Sequence, residues 1–154
     1  FDILKFRTMR VAADDVQHNA VWARRAVGDA ADVDAAAIED DRRTPVGRQL
    51  RRWSLDELPQ VLNILRGEMS FIGPRPEQAR YVRAFAQHVY RYGDRHRVKS
   101  GLTGWAQIHG LRGDTSLADR IEWDNFYVEN WSLLLDLKIL VLTLPAVLGG
   151  RAAE

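Results

Sequence analysis

The fold is read from Glu77-Gln78-Ala79-Arg80-Tyr81-Val82-Arg83-Ala84-Phe85-Ala86-Gln87-His88-Val89-Tyr90-Arg91-Tyr92-Gly93. Tyr81, Ala84, Phe85, His88, Val89 and Tyr92 fall on one stripe at helical spacing, and Gly93 ends it, so the stretch predicts a helix with one packed face. Downstream, Leu102 to Ile108 lies between Gly101 and Gly110 and predicts a short strand, and Ser116 to Asn130 predicts another helix. Upstream, Val61, Leu62 and Leu65 predict a short helix over Pro59 to Arg66 that closes at Gly67. Phe1 to Met9 alternates as an extended segment, with Leu4, Phe6 and Thr8 on one face and Ile3, Lys5 and Arg7 on the other. A helix is expected over 11–26 and a loose connection over 28–34. The sum is a mixed α/β fold, a small sheet with several surrounding helices.

The 154 residues are 46% hydrophobic and 28% charged, which fits one domain over residues 1–154. A chain of that length buries about 70% of the surface its unfolded form exposes. With 22 basic against 21 acidic side chains the net charge is +1, so no overall field draws the domain to nucleic acid. Cysteine is absent, which excludes disulfides, zinc–thiolate sites and thiol nucleophiles. The text opens at Phe1, inside an extended segment, and is expected to be the C-terminal part of a longer chain. No stretch reaches the ~20 apolar residues of a membrane-spanning helix, and no signal-peptide pattern is present.

Ser54-Leu55-Asp56-Glu57-Leu58-Pro59 has two readings. Ser54 and Glu57 have the spacing of a capping box, although Pro59 would then fall inside the helix and cost a hydrogen bond. A helix starting near residue 58 places proline more easily in its first turn. Either way Asp56 and Glu57 sit at a helix N-terminus, where the dipole favours ionised carboxylates able to attack phosphorus or hold Mg²⁺. In Gly73-Pro74-Arg75-Pro76 two prolines stiffen the backbone around Arg75, which makes either a phosphate clamp or an ordinary rigid turn. Lys5 and Arg7, parallel on one face, match the two phosphoryl groups of a diphosphate or are simply a solvated face. Arg48, Arg51 and Arg52 add cations ahead of the acidic pair. Together these are the parts of a phosphoryl-transfer site.

The tail, Leu133 to Leu148, is strongly apolar but carries Asp136, Lys138 and Pro145. It reads either as a buried core helix or as an interfacial one, with Leu134, Leu135, Ile139, Leu142 and Val147 dipping into a membrane surface. His18, His88, His96 and His109 lack metal-ligand spacing.

Five ordered blocks now carry a resemblance: Lys5 to Met9, Gly47 to Gln60, Gly67 to Glu77, Gly101 to Gln107, and Asn130-Trp131-Ser132 with Asp136-Leu137. The chain resembles the bacterial sugar transferase family, the monotopic polyprenyl-phosphate phosphoglycosyl transferases, over nearly its whole length. Ser100 stands where that family usually has proline, and the family's hydrophobic N-terminal segment is not in this sequence.

The resemblance implies a membrane-interface catalytic domain on the cytoplasmic face of the bacterial inner membrane. Asp56 would attack the sugar-linked phosphorus of a UDP-sugar, releasing UMP and forming an aspartyl phosphosugar. Undecaprenyl phosphate would then take the sugar phosphate, the first membrane step of exopolysaccharide, capsule or O-antigen synthesis. Glu57 would hold Mg²⁺, and Arg75, Lys5, Arg7 and Arg52 would bind phosphates. Arg97 and Asp124 match family positions near the site, and Trp105 and Gln107 are candidates for lining the nucleotide or sugar pocket, against a packed tryptophan as the alternative. Mg²⁺ and the basic residues are electrostatically required, because two adjacent carboxylates repel an anionic donor. The alternatives are a Mg²⁺-dependent phosphohydrolase and a catalytically silent membrane-associated partner in a polysaccharide assembly complex. Self-association is compatible with all three.

Overall fold

A computed structural model describes residues 1–10, 43–111 and 115–148. The helix expected over 11–26, the connection over 28–34 and His18 lie outside the described residues.

The secondary structure runs α1 (Pro45–Arg52), a 3-10 turn (Leu55–Glu57), α2 (Gln60–Leu65), β1 (Ser70–Ile72) and α3 (Ala79–His88). A second 3-10 segment (Tyr92–Arg97), β2 (Gly101–Thr103), α4 (Trp105–Ile108), α5 (Leu117–Glu129) and α6 (Leu133–Leu148) complete it. The fold is mixed α/β, and among the described residues the sheet is one parallel pair, with Ser70 opposite Gly101 and Ile72 opposite Thr103.

Two cores share one helix. Tyr81 and Phe85 of α3 pack with Tyr92 and with Leu117 and Ile121 of α5. Farther along α5, Tyr127 joins Ile72 of β1 and Ile139 of α6. Helix α5 thus buries different faces at its two ends, and it carries the polar Arg120, Asp124 and Asn125 into the interior between them.

Several expectations shift. The helix read over Glu77 to Tyr92 covers Ala79–His88 only, because Val89 is extended and Arg91 adopts a left-handed conformation, which turns Tyr92 back onto Phe85. The strand read over Leu102 to Ile108 stops at Thr103, and Trp105–Ile108 is a helical turn beginning after the extended Gly104. Phe1 to Met9 is extended and, among the described residues, joins no ladder beyond an isolated antiparallel bridge from Met9 to Arg43. Helix α1, with Thr44 as N-cap accepting from the Gly47 N–H at 2.9 Å, and strand β1 were not foreseen. In α2 the buried side is polar, Gln60 and Asn63, while Leu62 and Leu65 are 50% and 77% exposed.

Helix α6 is divided. Ile139 is fully buried, Leu135 is half-buried, and the Thr143 hydroxyl meets that of Thr103 at 2.8 Å, so a narrow stripe docks on the strands. Leu135 and Ile139 therefore belong to the core and not to an interfacial face. Leu133, Leu134, Leu137, Leu140, Val141, Leu142 and Leu144 remain exposed, and the side chain of Val147 is outside the described set. No helix among the described residues is long and apolar enough to cross a membrane.

The strand pair is built on glycine contact. A Cβ on Gly101 would lie 2.1 Å from the Gly73 nitrogen and 2.6 Å from the Ile72 carbonyl carbon, both main-chain atoms that cannot yield. Gly101→Ala is expected to force β1 and β2 apart, costing roughly 1–3 kcal/mol, a fall of about 2–12 °C in Tm. Thermal melting followed by circular dichroism checks this, and an unchanged Tm would mean the strands pack more loosely than described.

Candidate active site

The acidic pair lies on a tight turn between two helices. Helix α1 ends at Trp53, Ser54 takes a left-handed conformation (φ 53°), and Leu55–Glu57 forms a 3-10 turn ahead of α2. This replaces the capping box read from Ser54 and Glu57. The Ser54 side chain makes no cap hydrogen bond, and Glu57 turns instead toward two cations.

The N-terminal segment crosses this turn. The Phe6 N–H donates to the Asp56 carbonyl at 2.9 Å, and the Leu4 N–H donates to Asn63 Oδ1 at 3.0 Å. Asn63, wholly buried in α2, also donates to the Asp2 carbonyl at 2.8 Å and to Glu68 at 2.6 Å. The segment is thereby pinned on both sides of Lys5. Lys5 Nζ sits 3.0 Å from Asp56 Oδ2 and 3.3 Å from Glu57 Oε1.

Arg75 closes the other side. One guanidinium nitrogen lies 2.6 Å from Glu57 Oε1 and the other 3.5 Å from Oε2, a forked approach that lysine cannot copy. Its loop hangs from the strands: the Gly73 N–H donates to the Thr103 carbonyl and the Gly101 N–H to that of Pro74, both at 2.9 Å. Burial pushes the Glu57 carboxyl up, but the charges and hydrogen bonds of Arg75 and Lys5 outweigh it and hold the group below its ordinary range. Burial likewise opposes the charge on Arg75, yet Glu57, Glu77 and Asp56 carry the balance the other way. Asp56 is 3% exposed, and its cover is polar: the Lys5 side chain lying over it is 36% exposed.

Two carboxylates and two cations thus form one cluster of zero formal charge. Oxygens of both acids converge on the Lys5 ammonium, a cation standing where the acidic pair can receive one. Among the described residues no group of three or more acidic, histidine or cysteine side chains offers a complete metal cage. One or two carboxylates completed by substrate phosphates is the usual donor set for Mg²⁺, so Asp56 and Glu57 fit that ion.

Other expected site residues stand elsewhere. Arg7 is exposed on the Lys5 segment, Arg52 is exposed with its guanidinium 5.7 Å from the centre of the Trp53 ring, and Arg97 is exposed at the end of its 3-10 segment. Arg51 Nε donates to the Thr8 hydroxyl at 2.9 Å, tying α1 to the N-terminal segment. Gln107 is 3% exposed and donates to the Leu102 carbonyl, while Trp105 stacks near Trp123 and Phe126 beneath the Lys138 ammonium. Both make packing contacts. Asp124 is 2% exposed and lies 2.7 Å from Arg95, itself 1% exposed. Burial pushes the Asp124 carboxyl up to about 6, against the pull of Arg95 and Arg120.

Asn63, Glu77, Arg95 and Arg120 were missed from sequence. Arg95 and Arg120 are ordinary-looking members of an arginine-rich text, and no spacing marks them as interior. Asn63 carried a weak signal, one helical turn from Gln60 on the side of α2 opposite its leucines.

A carboxylate pair bound by a lysine and a stiffened arginine is an arrangement that phosphoryl transfer can use. Comparison with known proteins gives the family. The family model described as bacterial sugar transferase matches residues 1–150, and the chain belongs to that family. It is 42% identical over 157 residues to UDP-glucose:undecaprenyl-phosphate glucose-1-phosphate transferase of Xanthomonas campestris pv. campestris, covering 99% of this chain and 30% of that protein. The Caulobacter vibrioides protein of the same name is 42% identical over 152 residues, covering 96% of this chain and 51% of its own. A UDP-N-acetylgalactosamine-undecaprenyl-phosphate N-acetylgalactosaminephosphotransferase of Aeromonas hydrophila is 39% identical over 156 residues, covering 100% of this chain and 33% of its own. The chain thus spans between about a third and a half of the length of these relatives.

Proposed function

We propose that this chain is the catalytic domain of an enzyme that moves a sugar 1-phosphate from a UDP-sugar to undecaprenyl phosphate. The observation that carries the reading is the Asp56–Glu57 pair bound at once by Lys5 and Arg75. An Asp56 carboxylate oxygen attacks the sugar-linked phosphorus, a new O–P bond forms, and the bond to the bridging oxygen breaks as UMP leaves. A phosphate oxygen of undecaprenyl phosphate then attacks the same phosphorus. The Asp56 O–P bond breaks, and the carboxylate is restored.

The remaining side chains make an anionic donor tolerable. Lys5 and Arg75 are charged donors that a diphosphate can share with the acidic pair. Asp56 and Glu57 would hold Mg²⁺, which supplies two positive charges against the donor phosphates when bound. Glu57 stays ionised because Arg75 and Lys5 oppose its burial, and it keeps both cations beside Asp56. Cations held in place before the substrate arrives need no reorganisation during the reaction.

A lipid acceptor requires a membrane surface within reach. The leucines exposed on α6, together with Leu62 and Leu65 of α2, suit insertion into the headgroup region of a bilayer. The cytoplasmic face of a bacterial inner membrane provides both substrates, in the first membrane step of exopolysaccharide, capsule or O-antigen assembly.

The test is incubation of the full-length protein in membranes with Mg²⁺ and a panel of UDP-sugars, reading UMP and lipid product. The reading predicts at most one UMP per enzyme without polyprenyl phosphate and continuous release with it. Continuous release without acceptor would instead identify a phosphohydrolase, and no release with any donor would leave only a silent partner.

A further inference from the structure

The buried ion cluster beside the Arg75 loop has no part in the chemistry described so far. Arg95 Nη2 lies 2.7 Å from Asp124 Oδ2 and donates to the Arg75 carbonyl, also at 2.7 Å. Its Nη1 is 3.8 Å from Glu77 Oε1, and Arg120 Nη1 donates to that same oxygen at 3.0 Å. The Arg95 guanidinium also lies 5.6 Å from the centre of the Tyr92 ring. With 1% of its surface exposed, Arg95 does not reach substrate.

We infer that Arg95 is a positioning residue for Arg75: anchored on Asp124 in α5, it grips the Arg75 main chain from inside the protein and fixes where the clamp points. The inference rests on the reading of Arg75 as a phosphate clamp. The loop leaves β1 held at Gly73 and Pro74 by main-chain bonds to β2. Beyond them, the Arg75 carbonyl goes to Arg95 and the Glu77 carboxylate to Arg120, two attachments on either side of Pro76 that are both made to this buried cluster. The two prolines limit how the backbone bends, but they do not set the direction in which the stiff loop projects. Arg95 sets it. The carbonyl and the carboxylate meet the same guanidinium nitrogen, whose two N–H groups are held at a fixed angle in one plane, whereas a lysine ammonium is a single point on a flexible stem.

Burying these charges is a costly way to stabilise a fold, since desolvation consumes much of the Coulomb gain. Burial pushes the Asp124 carboxyl up despite Arg95 and Arg120 beside it, the direction that such a cost takes. A placement role accounts for what stability alone does not.

The test is a double-mutant cycle in the full-length membrane protein, comparing wild type, Arg95→Lys, Arg75→Ala and the double variant. Turnover of UDP-sugar is read in each, and the affinity for UDP is measured by titration. Arg95→Lys is expected to lower kcat/KM by about 10- to 100-fold in the wild-type background, as a displaced positioning group does. In the Arg75→Ala background the same change is expected to cost less than about threefold, because the group it positions is gone. UDP affinity should show the same non-additivity. A residue important only for packing would lower Tm and leave the two losses multiplicative, and that result overturns the inference. If Arg95→Lys does not accumulate, Asp124→Asn, which keeps an acceptor oxygen, takes its place in the cycle with the same expected coupling. Turnover in the wild type with multiplicative losses in the variants would sink the positioning role and leave the proposed function standing. Absent turnover with coupled UDP affinities would do the reverse.

Discussion

Asp56→Asn is expected to lower transfer by at least about 10⁴-fold, the scale seen when a nucleophile is removed and binding groups are left. An amide oxygen is a poor nucleophile toward phosphorus, and the neutral side chain also releases Lys5 from one of its two partners. The domain should remain folded, because the Asp56 carbonyl still accepts from the Phe6 N–H and Lys5 still meets Glu57. A normal melting curve together with lost UMP release is the expected pair of results. Turnover within about tenfold of wild type would remove Asp56 from the chemistry.

Arg75→Ala is expected to lower kcat/KM by about 10²- to 10³-fold, the loss typical of one preorganised group aimed at developing charge. The change strips Glu57 of its forked partner and leaves the buried carboxylate to Lys5 alone. Arg75→Lys should recover little, since an ammonium cannot span both Glu57 oxygens. Steady-state kinetics with varied UDP-sugar checks both variants. Wild-type rates in Arg75→Ala would show that the Pro74-Arg75-Pro76 turn is only a turn.

The parts of the site that were legible in sequence are those where local chemistry is unusual. Two carboxylates next to a helix-start proline, and an arginine between two prolines, restrict the backbone strongly enough to be read without neighbours. Lys5 was legible through alternation, which places it on one face of an extended segment, although the segment pairs with a turn and not with a sheet. The illegible parts depend on contacts distant in sequence. Arg95 acquires its surroundings from residues 18, 20, 25 and 29 positions away (Glu77, Arg75, Arg120 and Asp124), and nothing adjacent to it records that meeting. Strand β1 escaped notice because three residues are too few to show a period, and it exists through the close approach of Gly73 and Gly101. The capping box failed for a different reason: tertiary cations offered Glu57 stronger partners than a backbone N–H. In α6 the composition was read correctly as apolar, but only packing reveals that Leu135 and Ile139 face the core while their neighbours remain exposed.

The covalent step at Asp56 is open to intact-protein and peptide mass spectrometry. The full-length protein is incubated with Mg²⁺ and its UDP-sugar, without lipid acceptor, and quenched. The expected result is a mass increase of one sugar phosphate on the peptide containing Asp56, one UMP released per adduct, and loss of the adduct when undecaprenyl phosphate is added. An unmodified peptide during active turnover, or an adduct that persists in Asp56→Asn, would contradict it.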